Sequence, residues 1–474
     1  MCCVEPCCCE GDNDNDESGR PFTKRKRMNI SKLSSASTIR LRVAVSAMLI
    51  GTALPTAAHA QMAAPVTDPV ELGVMQGFPP PTDKLVTKVN SLRFPNLGWA
   101  LRNTRMMMPT ANVEHARVPM PLPVASTLDP DKVQFTVDGT TLSLSDYLRR
   151  TYTDGFIVIH DGKIVYEGYF NSYTPHQTHA WASMTKSVTG LIAAQLIDEG
   201  KLNPEAKLSA YVPELAGTPF GDATVQQNLD MEVPVSYPAD LPPDLGLFGA
   251  VGFIPRRSNA PDSIYDFLKV THPTPNATAG AMWYYQNGSP EALAWALRRI
   301  TGLSWSEMVS RSIWQKIAED DGDVVVDRKG TEMASGGFNT TLRDAARFGE
   351  LMRKGSAGAA TLFPVSSIHL ALKPTDNAGA FAKGNLAAGR PGYSYHDYWY
   401  QVNDGDRSFA AGGRFGQSIL VNPKAGLTIV KFSSYPDQAT RPTSAAAGKA
   451  IPRESLATAS ALDEAARAIK AAIR

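Results

Sequence analysis

In the stretch WASMTKSVTG, Trp181 to Gly190, Ser183 is followed three positions later by Lys186 at the start of a helical pattern. On a helix, residues i and i+3 share a face with Cβ atoms about 5–6 Å apart, so a lysine amine at 186 reaches a hydroxyl at 183. A serine hydroxyl is a poor nucleophile until a base takes its proton. Lysine helps in either of two forms, buried and neutral as the base itself, or charged as a stabiliser of the alkoxide. The helix N-terminus adds partial positive charge and free N–H donors beside the nucleophile. The same letters also describe an N-cap serine followed by a surface lysine, and the pair alone does not choose. Context favours chemistry: Trp181, Met184, Val188 and Leu191 make this a buried helix, and a lysine facing a core is costly without a partner or a task.

Two further segments supply what such a pair lacks. WYYQNGS places Tyr285 and Asn287 downstream, Tyr285 lying 102 residues after Ser183. A phenol beside an ammonium loses its proton more easily than its usual value near 10 allows, and then shuttles it between nucleophile and leaving group. Asn287 either meets a substrate amide or holds Lys186. The same Y-x-N spacing recurs at Tyr169 and Asn171, within a strand ahead of the serine, where packing is the simpler role. In AAGGRFGQS, Ala410 to Ser418, glycines at 412, 413 and 416 open a strand. Its edge presents an N–H to a developing oxyanion, or is simply a turn.

The elements that must position these residues follow from periodicity. FIVIH, Asp161-Gly162 and KIVYEGYF read as strand, two-residue turn and strand. Val188, Leu191, Ile192, Leu196 and Ile197 predict a helix over 183–200, stopped by Gly200. The proline- and glycine-rich stretch from Pro234 to Asp262 reads as a long structured loop, a lid or substrate wall. Helical patterns return at 289–301 and 341–353, then strand-like runs YSYHDYWYQV, QSILVNP and LTIVKFSS, and a closing amphipathic helix over 456–473. Hairpins at both ends with helices between them imply an α+β fold, an antiparallel sheet covered by helices and built from distant halves of the sequence. No internal repeat is visible.

Composition narrows the class. A net charge of +1, 20% charged and 43% hydrophobic residues describe a globular protein with no field that would steer it to nucleic acid or anionic lipid. All five cysteines fall in the first ten residues. A disulfide framework, a zinc site and a cysteine nucleophile are therefore excluded for the body of the chain. His160, His176 and His179 lie at no metal-ligand spacing and read as surface or loop residues, so neither metal nor cofactor is implied. Residues 1–27 read as a disordered extension of doubtful existence. Residues 28–60, with Lys32, Arg40 and Arg42, an apolar run from Val43 to Leu54 and then Ala58-His59-Ala60, have the layout of a secretory signal peptide. The protein is expected to be periplasmic or secreted, without a stable membrane anchor. Residues 61–135, rich in proline and methionine, read as an irregular arm on the main domain at 136–474.

Together, S-x-x-K, Y-x-N and the glycine-rich strand resemble the penicillin-recognising serine hydrolases: class C β-lactamases, DD-peptidases, family VIII esterases and 6-aminohexanoate-dimer hydrolases. ASGGFNTTLRDAARFGELM and GRFGQSILVNPKAGLTIVKFSSYPD extend the resemblance over about residues 140–440, the second toward the aminohexanoate branch. It implies a β-lactamase/DD-peptidase-like α+β fold with a helical subdomain. It also implies Ser183 as acylated nucleophile, Lys186 as proton acceptor or field source, and Tyr285 as general base and then acid. The backbone N–H groups of Ser183 and Arg414, beside Gly413, would form the oxyanion hole, with Tyr237 in substrate binding. The sequence departs from the β-lactamase pattern at Ala411-Gly412-Gly413, which lacks the lysine of K-T-G. Arg414 is a candidate replacement for that charge. The expected function is therefore hydrolysis of a small linear amide or ester through an acyl-enzyme. A β-lactamase or DD-peptidase is the alternative enzyme, and a non-catalytic ligand- or cell-wall-binding protein the alternative of another class.

Overall fold

The structure is a computed structural model that describes residues 66–436 and 453–473. The extension and export segment expected before residue 61 lie outside the described residues. Among those described, no helix is long and apolar enough to cross a membrane.

Seven antiparallel strands form the central sheet, in the order Ser394–His396, Trp399–Gln401, Phe409–Gly413, Gln417–Asn422, Leu427–Ser433, Thr153–His160 and Lys163–Tyr169. The first-hairpin expectation holds: His160 pairs with Lys163 across Asp161 and Gly162, both at positive φ (48° and 80°), as the two central residues of a tight hairpin turn require. The two halves of the sheet meet where Val430 pairs with Ile157 and Ile429 with Val158. Successive side chains of a strand point to opposite faces. Ile157, Ile159, Ile419, Val421 and Val430 thus belong to the core under the buried helices. Phe156, Val158, Leu420 and Ile429 join a second core with Tyr147, Leu148, Leu462 and Ile469. Burial on both faces explains why FIVI and ILV are continuous apolar runs with no polar alternation.

A smaller four-stranded sheet, Thr110–Val113, Gly322–Val325, Phe338–Thr340 and His179–Ala180, frames the Ser183 segment. Thr340 pairs with His179 and Asn339 with Ala180. Trp181 N donates to the Phe338 carbonyl at 2.9 Å, and its indole N–H to Thr340 Oγ1 at 2.7 Å. The GGFNTT segment is therefore the strand against which the Ser183 turn is built.

Three readings need correction. The stretch 234–262 is not all loop: Pro243–Val251 is a helix with proline in its first turn, ended by Gly252 in the left-handed conformation (φ 97°). The glycine-rich motif opens the strand Gln417–Asn422, but Gly412 and Gly413 belong to the end of the strand before it. It closes Phe409–Gly413, turns through the short helix Arg414–Gly416 and enters Gln417–Asn422, with Gly413 paired to Gln417. His179 is no surface residue: it is fully buried, its Nε2 lies 3.1 Å from Asp154 Oδ2, and its ring stacks on Phe432 with centroids 4.9 Å apart.

Candidate active site

Ser183 sits in a single 3-10 turn, Ala182–Met184, which runs straight into the helix Thr185–Asp198. Ala182 has φ 47°, a left-handed conformation that a non-glycine residue holds only where its surroundings impose it. The sharp entry places Ser183 at the cavity while Lys186, one turn on, is drawn into the interior at 1% exposure.

Lys186 Nζ lies 2.9 Å from Ser183 Oγ, 2.8 Å from Asn287 Oδ1 and 2.6 Å from the Ser335 carbonyl oxygen. Two of these neighbours, an amide oxygen and a carbonyl, are pure acceptors. A neutral amine has two N–H donors and one lone pair. With both donors committed to Asn287 and Ser335, the lone pair is left for the Ser183 hydroxyl. Burial pulls the ammonium down to about 7, opposed by the charge of Glu291. Near neutral pH the amine is thus available as a base.

Tyr285 completes the group. Its ring centroid is 5.0 Å from Lys186 Nζ, and its side chain hydrogen-bonds that of Ser183. Burial pushes its phenol up to about 12, with the Ser183 hydrogen bond and Arg390 pulling the other way. The expectation that a neighbouring ammonium eases its deprotonation therefore fails. Desolvation wins, and Tyr285 stays a proton donor at neutral pH. Its backbone is clamped by one side chain: Asn385 Oδ1 accepts from Tyr285 N at 2.8 Å, and Asn385 Nδ2 donates to Tyr285 O at 2.9 Å.

Asn287 precedes the helix Gly288–Thr301. One turn along, fully buried Glu291 accepts the backbone N–H groups of Ala334 (3.2 Å) and Ser335 (2.9 Å), so it fixes the carbonyl that Lys186 uses. Burial pushes its carboxyl up, and these N–H groups resist the rise.

These residues open on a cavity of about 890 Å³. Gly413, Arg414 and Tyr237 all line it, as does the wall from 234–262 through Pro242, Pro243, Phe248 and Phe253. A Cβ at Gly413 would stand 2.3 Å from the Trp181 carbonyl oxygen, so only glycine lets this strand edge approach the Ser183 turn. Tyr237 stacks on Phe267, centroids 5.6 Å apart. The second Y-x-N stays apart: Tyr169 donates to Glu167, and Asn171 donates to Asp154 and the Thr153 carbonyl. Glu291, Ser335, Asn385 and Arg390 were missed from sequence. Only the i, i+4 spacing of Asn287 and Glu291 at a helix start pointed toward any of them.

Comparison with known proteins agrees with this arrangement. The family described as Beta-lactamase matches residues 147–451. The 6-aminohexanoate-dimer hydrolase of Paenarthrobacter ureafaciens is 28% identical over 353 residues, 73% of this chain and 88% of that protein. A solved structure from Bacillus anthracis, provisionally assigned as a 6-aminohexanoate-dimer hydrolase, is 34% identical with a TM-score of 0.69, covering 76% of this chain and 94% of that one. A Bacteroides dorei structure provisionally called a beta-lactamase shares the fold at 14% identity, TM-score 0.50, over 69% of this chain and 97% of that one. With a serine, a lysine and a tyrosine brought together at the mouth of a cavity on this fold, the chain belongs to the beta-lactamase family of penicillin-recognising serine hydrolases.

Proposed function

We propose that this hydrolase cleaves a linear amide or ester through an acyl-enzyme on Ser183, with neutral Lys186 as the base and Tyr285 as the proton donor to the leaving group. The observation that carries the reading is the Lys186 amine 2.9 Å from Ser183 Oγ, with its other two contacts to pure acceptors. In acylation the Ser183 proton passes to Lys186 Nζ as Oγ bonds to the substrate carbonyl carbon, whose electron pair moves onto oxygen. Collapse of that intermediate breaks the bond to nitrogen or oxygen while Tyr285 gives the leaving group its proton, and Lys186 then reprotonates Tyr285. In deacylation water attacks the ester carbon, its proton goes to Lys186, and Oγ leaves with a proton.

A linear amide is favoured over a β-lactam because Ala411-Gly412-Gly413 lacks the K-T-G lysine, and because the relatives above are named for an aminohexanoate dimer. The test is a panel of p-nitrophenyl esters, linear amides and nitrocefin, run on the parent and on Ser183→Ala. The expected result is ester and amide turnover with little on nitrocefin, and a loss of about 10⁴-fold or more in Ser183→Ala with Tm nearly unchanged. An alanine variant as active as the parent sinks the nucleophile assignment, and dominant nitrocefin turnover moves the substrate to β-lactams.

A further inference from the structure

Outside the cavity, a second cluster of ionisable groups packs behind the helix that carries Lys186. The hairpin turn between Ser394–His396 and Trp399–Gln401 holds Asp397 and Tyr398 at φ 47° and 65°. Its backbone docks on the helix Thr185–Asp198: Ser187 Oγ donates to the Tyr398 carbonyl at 2.7 Å, and the Asp397 carbonyl fills the place that a Cβ of Gly190 would need. On its other side the turn meets Asp230, whose Oδ1 accepts from Asp397 N at 3.1 Å. The chain after Asp230 leads to Met231, whose carbonyl accepts from Tyr284 N at 2.6 Å, beside Tyr285.

Asp230, His396 and Asp397 each bring one ligand atom to within 4.8 Å of the others. The three residues are 9%, 7% and 2% exposed. Gln226 Nε2 donates to Asp230 Oδ2 at 3.0 Å and to Asp397 Oδ1 at 2.9 Å, which orients both carboxylates without neutralising either. Among the described residues their only ion-pair partner is His396, whose Nε2 stands 3.7 Å from Asp397 Oδ1. His396 Nδ1 lies 2.9 Å from Asp230 Oδ1 yet out of line for a hydrogen bond, so this buried ring nitrogen has no hydrogen-bond partner. Asn228 Oδ1 and Tyr398 Oη, on the same two segments, are also buried without one. Two buried carboxylates carry two negative charges, and a protonated imidazole answers one of them. A divalent cation on the neutral imidazole answers both.

We propose that Asp230, His396 and Asp397 form a site for a divalent transition-metal ion of the Zn²⁺ type, which clamps the 396–398 turn to the segment leading to Tyr284. One imidazole nitrogen and two carboxylate oxygens are ordinary ligands of Zn²⁺ at about 2.0–2.2 Å, and a small closure of the three side chains reaches those lengths. The ion stands behind the Ser183 helix and takes no part in bond cleavage; its effect is on the stability of the framework.

The test uses the full chain with its thiols blocked by iodoacetamide, because all five cysteines lie in the first ten residues and would compete for the same ion. After EDTA treatment and dialysis, calorimetric titration with Zn²⁺ is expected to show one equivalent bound with a Kd of about 10 µM or tighter, and Tm to rise with added Zn²⁺. Asp397→Asn keeps a side chain that tolerates the left-handed turn; it and His396→Gln should each weaken binding by about tenfold or more and lose the Tm response. His115→Gln, which removes an exposed histidine paired with Asp321, should change neither. Co²⁺ added to the parent should give the visible absorption of a four- or five-coordinate site, displaced by Zn²⁺, a readout that does not depend on any variant folding. No saturable binding up to about 1 mM Zn²⁺, binding that survives Asp397→Asn and His396→Gln, or binding lost in His115→Gln instead overturns the proposal.

Discussion

In the proposed mechanism Lys186 activates Ser183, and the surroundings of its amine set the pH at which it would work. Since burial draws its pKa to about 7, the neutral amine dominates above that pH and the ammonium below it. The expected kcat/KM therefore falls as pH drops through about 7, by about tenfold per unit well below it, with no basic limb from Tyr285 in the ordinary range. A profile flat down to pH 5 contradicts a neutral-lysine base. Glu291 is a positioning residue in this scheme. Its charge opposes the pull of burial on Lys186, so Glu291→Gln is expected to move the acid limb to lower pH. Mere loosening of the fold would lower the amplitude and leave the limb where it was. An acid limb that shifts upward in Glu291→Gln shows that the carboxyl is not the charge Lys186 senses.

At the level of elements, the site depends on three pieces of backbone meeting closely: the Ser183 turn, the Phe338–Thr340 strand and the edge at Gly413. The Gly413 approach is the tightest of them, with the Trp181 carbonyl in the place of the missing Cβ. Gly413→Ala must push the two apart, an overpacking cost of about 1–3 kcal/mol. The expected outcome is a lower Tm and a kcat loss much larger than any change in KM, because the Gly413 edge of the cavity moves relative to Ser183. An alanine variant with parental Tm and kcat contradicts this packing. His179 belongs to the same framework. Its two-residue strand has no periodicity to read, which is why the sequence suggested a loop histidine, while tertiary pairing to Thr340 and to Asp154 buries it. The helix at Pro243–Val251 was hidden in a similar way, since prolines that usually break patterns here begin one.

At the scale of the whole molecule, the cavity is walled by segments far apart in sequence: Leu101 before the main sheet, Phe248 and Phe253 in the 234–262 stretch, Asn385 and Arg390 beyond the central helices, and Gly413 near the end. The sheet and the cluster of Ser183, Lys186 and Tyr285 were legible because hydrophobic period and short fixed spacings carry them. FIVI, Asp161-Gly162, Ser183 with Lys186, and Tyr285 with Asn287 are each local patterns. Glu291, Ser335, Asn385 and Arg390 act through contacts that only the folded chain creates.

Acylation of Ser183 is the claim on which the rest depends, and intact-mass spectrometry of the protein quenched during turnover of a p-nitrophenyl ester measures it directly. The result expected is a mass increase equal to one acyl group, mapped by peptide digestion to Ser183 and absent in Ser183→Ala. Turnover with no adduct under rapid quench, or an adduct mapped to another residue, contradicts the account.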